Sequence, residues 1–243
     1  MTRLIREQYV VGHGMLAQAF HRNPVVSCPS VIFASGVSDS GCSDSYEFLR
    51  ERRLLAYWLE ELGHFAPFVY FSTCSVYDSD SCNTPYVLHK LSMEELVSAY
   101  PFGVVVRLPQ VVGPAPLTSN TLVSYLVRKI LASEEIQVWE NAVRNVIDVD
   151  DVVIMLNEYL NDWGSFPKVF NLANSLSIGV PELINFVELA LGRRALKNSV
   201  KKGSSYKIDV SVSRVLASRV NVDFNLKYLE KSIRKHYQRY RTL

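Results

Sequence analysis

Apolar residues in this chain gather in short runs set between longer stretches with a helical repeat. Residues 7–11 (EQYVV), 31–34 (VIFA), 67–71 (PFVYF) and 103–108 (GVVVRL) read as strands, the last of a type buried on both faces. Between them, residues 15–21 predict a short helix. Residues 44–62 predict a long amphipathic one, with Leu55, Trp58, Leu59 and Leu62 on its apolar stripe. Pro85 and Thr84 open a further helix to residue 99, as first-turn proline and N-cap. Residues 109–119 read as loop, 121–132 as helix, 136–139 as strand, 148–160 as helix, 168–172 as strand and 179–191 as helix. The tail beyond Lys207 reads as helical and basic.

Strands alternating with helices through residue 108 predict an α/β fold with a Rossmann-like doubly wound parallel sheet. Ligands of such sheets bind beyond the C-terminal strand ends. Gly12, Ala34, Ser35, Gly36, Ser72 and Thr73 all lie at such ends, so separate pieces of sequence point to one crevice. A dinucleotide-binding domain is expected over residues 1–115, with 148–173 returning to it. A small substrate lobe is expected over 116–243.

Nearly half of the 243 residues are hydrophobic and charge is ordinary, which excludes a disordered chain. No apolar run approaches bilayer length and the start carries no apolar leader, so a cytoplasmic protein without membrane contact is expected. The cysteines at 28, 42, 74 and 82 form no CxxC pair, which argues for reduced thiols and against zinc. The net charge of +2 hides an asymmetry: residues 193–243 hold 14 Lys/Arg against three acids. Such a basic part suits a phosphate-bearing ligand, an acidic partner, nucleic acid or simply a solvated face.

Gly12-His13-Gly14-Met15-Leu16-Ala17 fits G-x-G-x-x-A between a strand and a helix, a turn that lets backbone N–H groups approach a pyrophosphate. A plain connecting turn is the alternative. Tyr86 and Lys90 are four residues apart, which on a helix puts both on one face with Cβ atoms about 6 Å apart. Tyr125–Lys129 repeats the spacing, but no hydroxyl-bearing strand end precedes it, so it reads as packing. A hydroxyl from Thr73, the Tyr86 phenol and the Lys90 ammonium together can move a proton to or from an alcohol or carbonyl oxygen. A neighbouring ammonium and the cation of a bound nicotinamide both favour phenolate, so the Tyr86 pKa is expected below its usual value near 10. Cys74 beside this site is a substrate contact, a reactive thiol or a small buried filler. Asp148, Asp150 and Asp151 read as helix-capping acids, with metal binding as the alternative. Arg144 offers a phosphate contact or is a plain surface arginine. The tail KSIRKHYQRYR reads as an amphipathic surface helix rather than a nucleic-acid binder.

Taken together, these segments resemble the extended short-chain dehydrogenase/reductase superfamily, in its NAD-dependent epimerase/dehydratase branch. YFSTCSVYD is similar to that family's strand with the catalytic Ser/Thr, placing the role on Thr73. PYVLHK is similar to its PYxxSK helix, VVVRLPQVVGP to its next strand and Gly-Pro turn, RNVIDVDDVV to its R-x-x-x-x-V-x-D segment, and VFNLAN to its late returning strand. The resemblance implies Thr73, Tyr86 and Lys90 as catalytic residues and NAD or NADP as cofactor. The cofactor would be held by Gly12, His13, Gly14, Met15, Leu16, Ala34, Ser35, Gly36, Ser72, Tyr86, Lys90 and Pro109. It implies a nucleotide-activated sugar as substrate, met by Cys74, Ser75 and Arg144, no metal, and a homodimer through the helices at 44–62 and 85–99.

The chain departs from that pattern in three places. The glycine motif is G-x-G-x-x-A, and only about 20 residues separate Gly12 from the strand at Val31, where the family fits two more strands and a helix. The sheet is therefore expected to be shortened at one edge, without the acid that holds the adenosine ribose; His21 or Arg22 could instead meet a 2′-phosphate. Cys74-Ser75 stands where sugar 4,6-dehydratases carry Asp-Glu, which argues for reduction or epimerisation. The competing readings are a non-catalytic or regulatory member of the same fold, and an acidic-partner or nucleic-acid binder using the basic C-terminal part.

Overall fold

The computed structural model describes residues 7–24, 28–61, 66–114, 116 and 118–242. Its first half runs β1 (Gln8–Val11), α1 (Met15–Arg22), β2 (Ser30–Phe33), α2 (Ser45–Glu61), β3 (Phe68–Thr73), α3 (Pro85–Ser98), β4 (Gly103–Leu108) and β5 (Gln110–Val112). There follow α4 (Leu122–Leu131), β6 (Glu135–Trp139), β7 (Val143–Asp148), α5 (Val149–Asn161), β8 (Val169–Asn171) and β9 (Ser177–Gly179). The chain ends with α6 (Val180–Leu191), β10 (Leu196–Val200), α7 (Ser211–Arg219) and α8 (Tyr228–Tyr237).

The main sheet is parallel throughout, in the order β1-β2-β3-β4-β8. Its central strands are buried on both faces, which is why they read as continuous apolar runs. On one face α1, α5 and α7 pack through Phe20, Met155, Leu156 and Leu216; on the other α2 and α3 pack through Leu55, Trp58, Met93 and Val97. Among the described residues β1 and β8 are the outer strands, and β1 forms the shortened edge expected from the sequence. Phe33 of β2 pairs with Tyr70, so β3 runs on past its neighbour through Phe71 and Ser72 to Thr73. That overhang lifts Thr73 to the level of the first turn of α3.

The second half builds a layer from β5-β7-β9 and β6-β10, packed against α4, α6 and α8. Here the structure adds to the sequence reading. Residues 110–112, expected as loop, form a strand, because Val111 and Val112 pair with Ile147 and Asp148 of β7. The helical tail is built as two helices: the chain breaks at 220–227, where Asn221 has φ 57° and Val222 and Phe224 turn into the core. α8 buries Leu229, Ile233 and Tyr237, the packing face expected of it.

α8 is stapled to the start of α5. Asp148 caps α5, its carboxylate accepting from the Asp150 N–H at 2.9 Å, as expected for these acids. His236 Nε2 and Lys235 Nζ reach the same carboxylate at 3.1 and 3.2 Å, and Lys235 also meets Asp150 at 2.7 Å. Asp148, Asp150 and His236 bring their ligand-type atoms within 4.8 Å of one another, and the cation beside them is the Lys235 ammonium. Burial opposes ionisation of Asp148, but His236, the Asp150 N–H and Lys235 outweigh it and hold its pKa below the ordinary value.

Candidate active site

The glycine turn after β1 sits directly against the end of β2. Gly12 has φ +126°, and a Cβ there would come within 2.5 Å of the Ala34 carbonyl oxygen, so only glycine fits. Gly14 begins α1 with no side-chain cap, and a Cβ on it would meet nothing within 4 Å. The start of α1 thus carries no side-chain cap and has open space at Gly14, a place suited to an anion. His13 contributes its carbonyl to Gln18 at 3.1 Å, which fastens the turn to the helix. Ser35 is held from α2: Arg50 donates to its carbonyl oxygen at 3.3 Å and to its hydroxyl at 3.4 Å. An open cleft of about 470 Å³ continues from Gly36 and Val37 to Glu47 and Arg50.

Thr73 and Tyr86 meet at the top of β3. The Thr73 side chain lies beside the phenol and favours its ionised form, and Thr73 Oγ1 accepts from the Ser75 N–H at 3.0 Å. Tyr86 is nearly buried, yet it opens onto a pocket of about 100 Å³ shared with Ser75, Asp78, Gln110, Arg144 and Tyr206. Arg144 is aimed by two carbonyls, donating to Val143 at 2.8 Å and Ser204 at 3.2 Å. Asp78 ties the 201–210 strap down, accepting from the Ser204 hydroxyl at 2.7 Å.

The electrostatics correct one expectation. The Tyr86 pKa is not lowered but pushed up to about 12, first by burial; Thr73 offsets this in part and Glu51 adds to it. The Lys90 ammonium is itself enclosed. It donates to Glu51 Oε1 at 3.1 Å, to the Tyr70 hydroxyl at 3.1 Å and to the Phe71 carbonyl at 3.3 Å, with its nitrogen 5.9 Å from the centre of the Tyr86 ring. Its charge is met by a carboxylate before it can draw out a phenolate.

Two further sequence candidates lie away from the pocket. The Ser72 hydroxyl bonds Glu94 at 2.5 Å, because β3 alternates and Ser72 shares its side with Tyr70 rather than Thr73. Cys74 is fully buried with its thiol on the Arg107 carbonyl at 3.5 Å, so it supports the site from below; burial raises its pKa strongly. Ser75 and Arg144 do line the pocket. Pro109 is half-buried between β4 and β5. Arg22 lies at the far end of α1 from the glycine turn and meets Asp150 at 3.5 Å, so the 2′-phosphate role considered for it finds no support.

Sequence reasoning missed Glu51, Asp78 and Tyr206. Glu51 left a signal: it shares the i, i+4, i+7 stripe of α2 with Leu55 and Trp58 and is the acid on a buried face. Asp78 and Tyr206 left none, being brought together only by the strap.

Comparison with known proteins agrees with this architecture. RMD from Pseudomonas aeruginosa, solved with NADPH, superimposes with a TM-score of 0.74 at 17% identity, over 100% of this chain and 99% of that one. UDP-glucuronic acid 4-epimerase from Bacillus cereus, solved with NAD, gives 0.66 at 19% identity over 88% of this chain and 72% of that one. UDP-glucose 4-epimerase from Thermus thermophilus, also with NAD, gives 0.67 at 17% identity over 93% of this chain and 81% of that one. A search of curated protein sequences finds no match. Residues 32–173, more than half of the sequence, match the family model of the NAD dependent epimerase/dehydratase family, and to that family the chain belongs.

Proposed function

We propose that the protein is an NAD(P)-dependent oxidoreductase or epimerase acting on a nucleotide-activated sugar. The observation that carries this reading is Tyr86, with Thr73 beside its phenol, lining a polar pocket together with Ser75, Asp78, Gln110 and Arg144. The diphosphate and nicotinamide halves of a dinucleotide fit the residues present: Gly14 leaves its space open and α1 leaves its first N–H groups without a side-chain cap. Gly12, His13, Gly14, Met15 and Leu16 would hold the diphosphate, with Ala34, Ser35, Gly36 and Pro109 around the nicotinamide riboside. When bound, the nicotinamide supplies or accepts a hydride.

The chain's own residues manage the proton. Tyr86, held as the neutral phenol, donates to a sugar oxygen as it gains charge and takes the proton back in the reverse direction. Thr73 orients the same oxygen through its hydroxyl. Lys90 places a fixed positive charge behind the phenol. Arg144 faces the pocket where a phosphate or carboxylate would lie, while Asp78, Gln110 and Tyr206 offer partners for hydroxyl groups. Cys74 and Ser75 stand where sugar 4,6-dehydratases carry an acid pair, which favours reduction or epimerisation over dehydration. The same reading takes α2 and α3, with Tyr46, Leu49, Tyr57 and Leu88 exposed, as the faces of a homodimer.

The adenosine half is served differently. No Asp or Glu occurs between Glu7 and Asp39, and Arg22 is engaged with Asp150. The segment around α1 thus brings neither a carboxylate for a ribose diol nor a free arginine for a 2′-phosphate. Titration with NADH and NADPH is expected to give dissociation constants within about threefold of each other, a difference below about 1 kcal/mol. Purified protein should then convert at least one member of a panel of UDP-, GDP- and dTDP-hexoses or their 4-keto derivatives, followed by cofactor absorbance and product analysis. Binding of both cofactors with no conversion of any sugar would favour the non-catalytic reading, which the bare β1 edge supports.

A further inference from the structure

Glu51 is a buried acid in the middle of a 17-residue helix, with no exposed surface. Four donors converge on its carboxylate: the Val37 N–H at 2.6 Å, the Tyr70 hydroxyl at 2.6 Å, His89 Nε2 at 3.1 Å and Lys90 Nζ at 3.1 Å. They come from the loop after β2, from β3 and from α3, so one side chain ties together three elements that frame the cleft. The ion pair lies immediately under Gly36: a Cβ there would come within 2.7 Å of Lys90 Nζ and 2.8 Å of Glu51 Oε1.

An ammonium in such a place keeps its proton only if an anion faces it. Around Lys90 stand Glu51 and Arg50 from α2, Tyr70 from β3, and Tyr86, His89 and Glu94 from α3. Glu94 is already taken by Arg107 and Ser72. The remaining atoms bonded to Lys90 Nζ, the Tyr70 hydroxyl and the Phe71 carbonyl, are neutral. Glu51 is therefore the counter-charge in contact with Lys90. Burial works against its ionisation, yet Lys90, His89, Tyr70 and the Val37 N–H together hold its pKa at about 2.

We propose that Glu51 is the positioning residue of this site: its carboxylate keeps the Lys90 ammonium charged and fixed between Tyr70 and Tyr86, and ties that charge to the cleft loop through Val37. The consequence for chemistry, which rests on the function proposed above, is a balanced pair rather than a bare cation behind the phenol. The resting site then holds Tyr86 as a proton donor, the form needed to reduce a carbonyl.

The test is an NMR titration of the full-length protein labelled at lysine Cε, with Lys90 assigned by its disappearance in Lys90→Met. In the wild type, where burial lowers the Lys90 pKa from its ordinary value and Glu51 opposes that shift, the signal should keep its ammonium position from about pH 6 to 8. In Glu51→Gln it should move to the amine position or titrate within that window. An ammonium signal unchanged across the window in Glu51→Gln would overturn the proposal. If Glu51→Gln does not fold, the double variant Glu51→Gln/Lys90→Met should, since it removes the stranded cation with its partner. A double variant no more stable than Glu51→Gln alone would also overturn it. In the sugar assay, Glu51→Gln should shift the pH dependence of kcat and leave KM for the sugar within about twofold. An unshifted profile counts against a positioning role. The expected lysine titration in a protein that binds neither NADH nor NADPH would remove the proposed function and leave the Glu51–Lys90 assignment standing.

Discussion

Replacing Tyr86 by Phe is expected to lower turnover of the sugar by about 10²- to 10⁴-fold, the usual share of a positioned acid–base group. The ring packs against Val37 and Val87, and a phenylalanine fills the same space. Only the hydroxyl is lost. Its neighbour Thr73 keeps the Ser75 N–H bond, so no buried polar group is stranded and the stability change should stay near 1 kcal/mol. Cofactor affinity should be almost unchanged, which separates a chemical defect from a binding one. The wild-type pH profile should carry no limb from Tyr86 across the neutral range, because burial holds its pKa at about 12. Near-normal turnover in Tyr86→Phe would reject the assignment.

A large effect on stability is expected at Glu94. Its two oxygens receive Arg107 as a fork, Nε at 2.9 Å and Nη2 at 2.6 Å, and one of them also takes the Ser72 hydroxyl. Glu94 is buried, while Arg107 continues to the Tyr77 hydroxyl at 2.8 Å. Glu94→Ala strands a largely covered guanidinium and the Ser72 hydroxyl. Breaking one partner of such a pair costs about 3–5 kcal/mol. At roughly 2–4 °C per kcal/mol, melting should fall by about 6–20 °C. Arg219, which meets Glu158 and Asp162 at 3.3 Å on the surface, should matter by less than about 1 kcal/mol when removed. Because Tyr77 lies in the turn after Thr73, Glu94→Ala should also loosen the segment that aims Thr73. A melting temperature within about 2 °C of wild type would show that Arg107 finds other partners.

Much of the active-site framework is local and therefore legible. The central strands are apolar runs of the right length, Pro85 and Thr84 mark the start of α3, and Tyr86 and Lys90 share a helical face by spacing alone. β5 and β7 are not legible in the same way. β5 is only three residues long, and β7 pairs with it across an intervening helix and strand and with β9 on its other side. β10 is mostly exposed and carries no alternation that would mark it. The direction of the Tyr86 shift is hidden from the sequence for a related reason. A neighbouring lysine is visible there, but the burial that raises the phenol and the carboxylate from another helix, 39 residues before Lys90, are not. Sequence spacing places charges on one element and does not reveal what the next element brings to them.

The proposed function requires the space beside the glycine turn to receive a nicotinamide dinucleotide with its diphosphate on the N-terminus of α1. Gly14 gives direct access to it: its φ of −73° suits any residue, and a Cβ there meets nothing. Gly14→Asp should therefore fold normally while placing a negative charge against the diphosphate. Thermal-shift or fluorescence titration with NADH is expected to show clear binding to the wild type and at least a tenfold loss, about 1.4 kcal/mol or more, in Gly14→Asp. Equal binding by the two proteins, or none by the wild type, would contradict it.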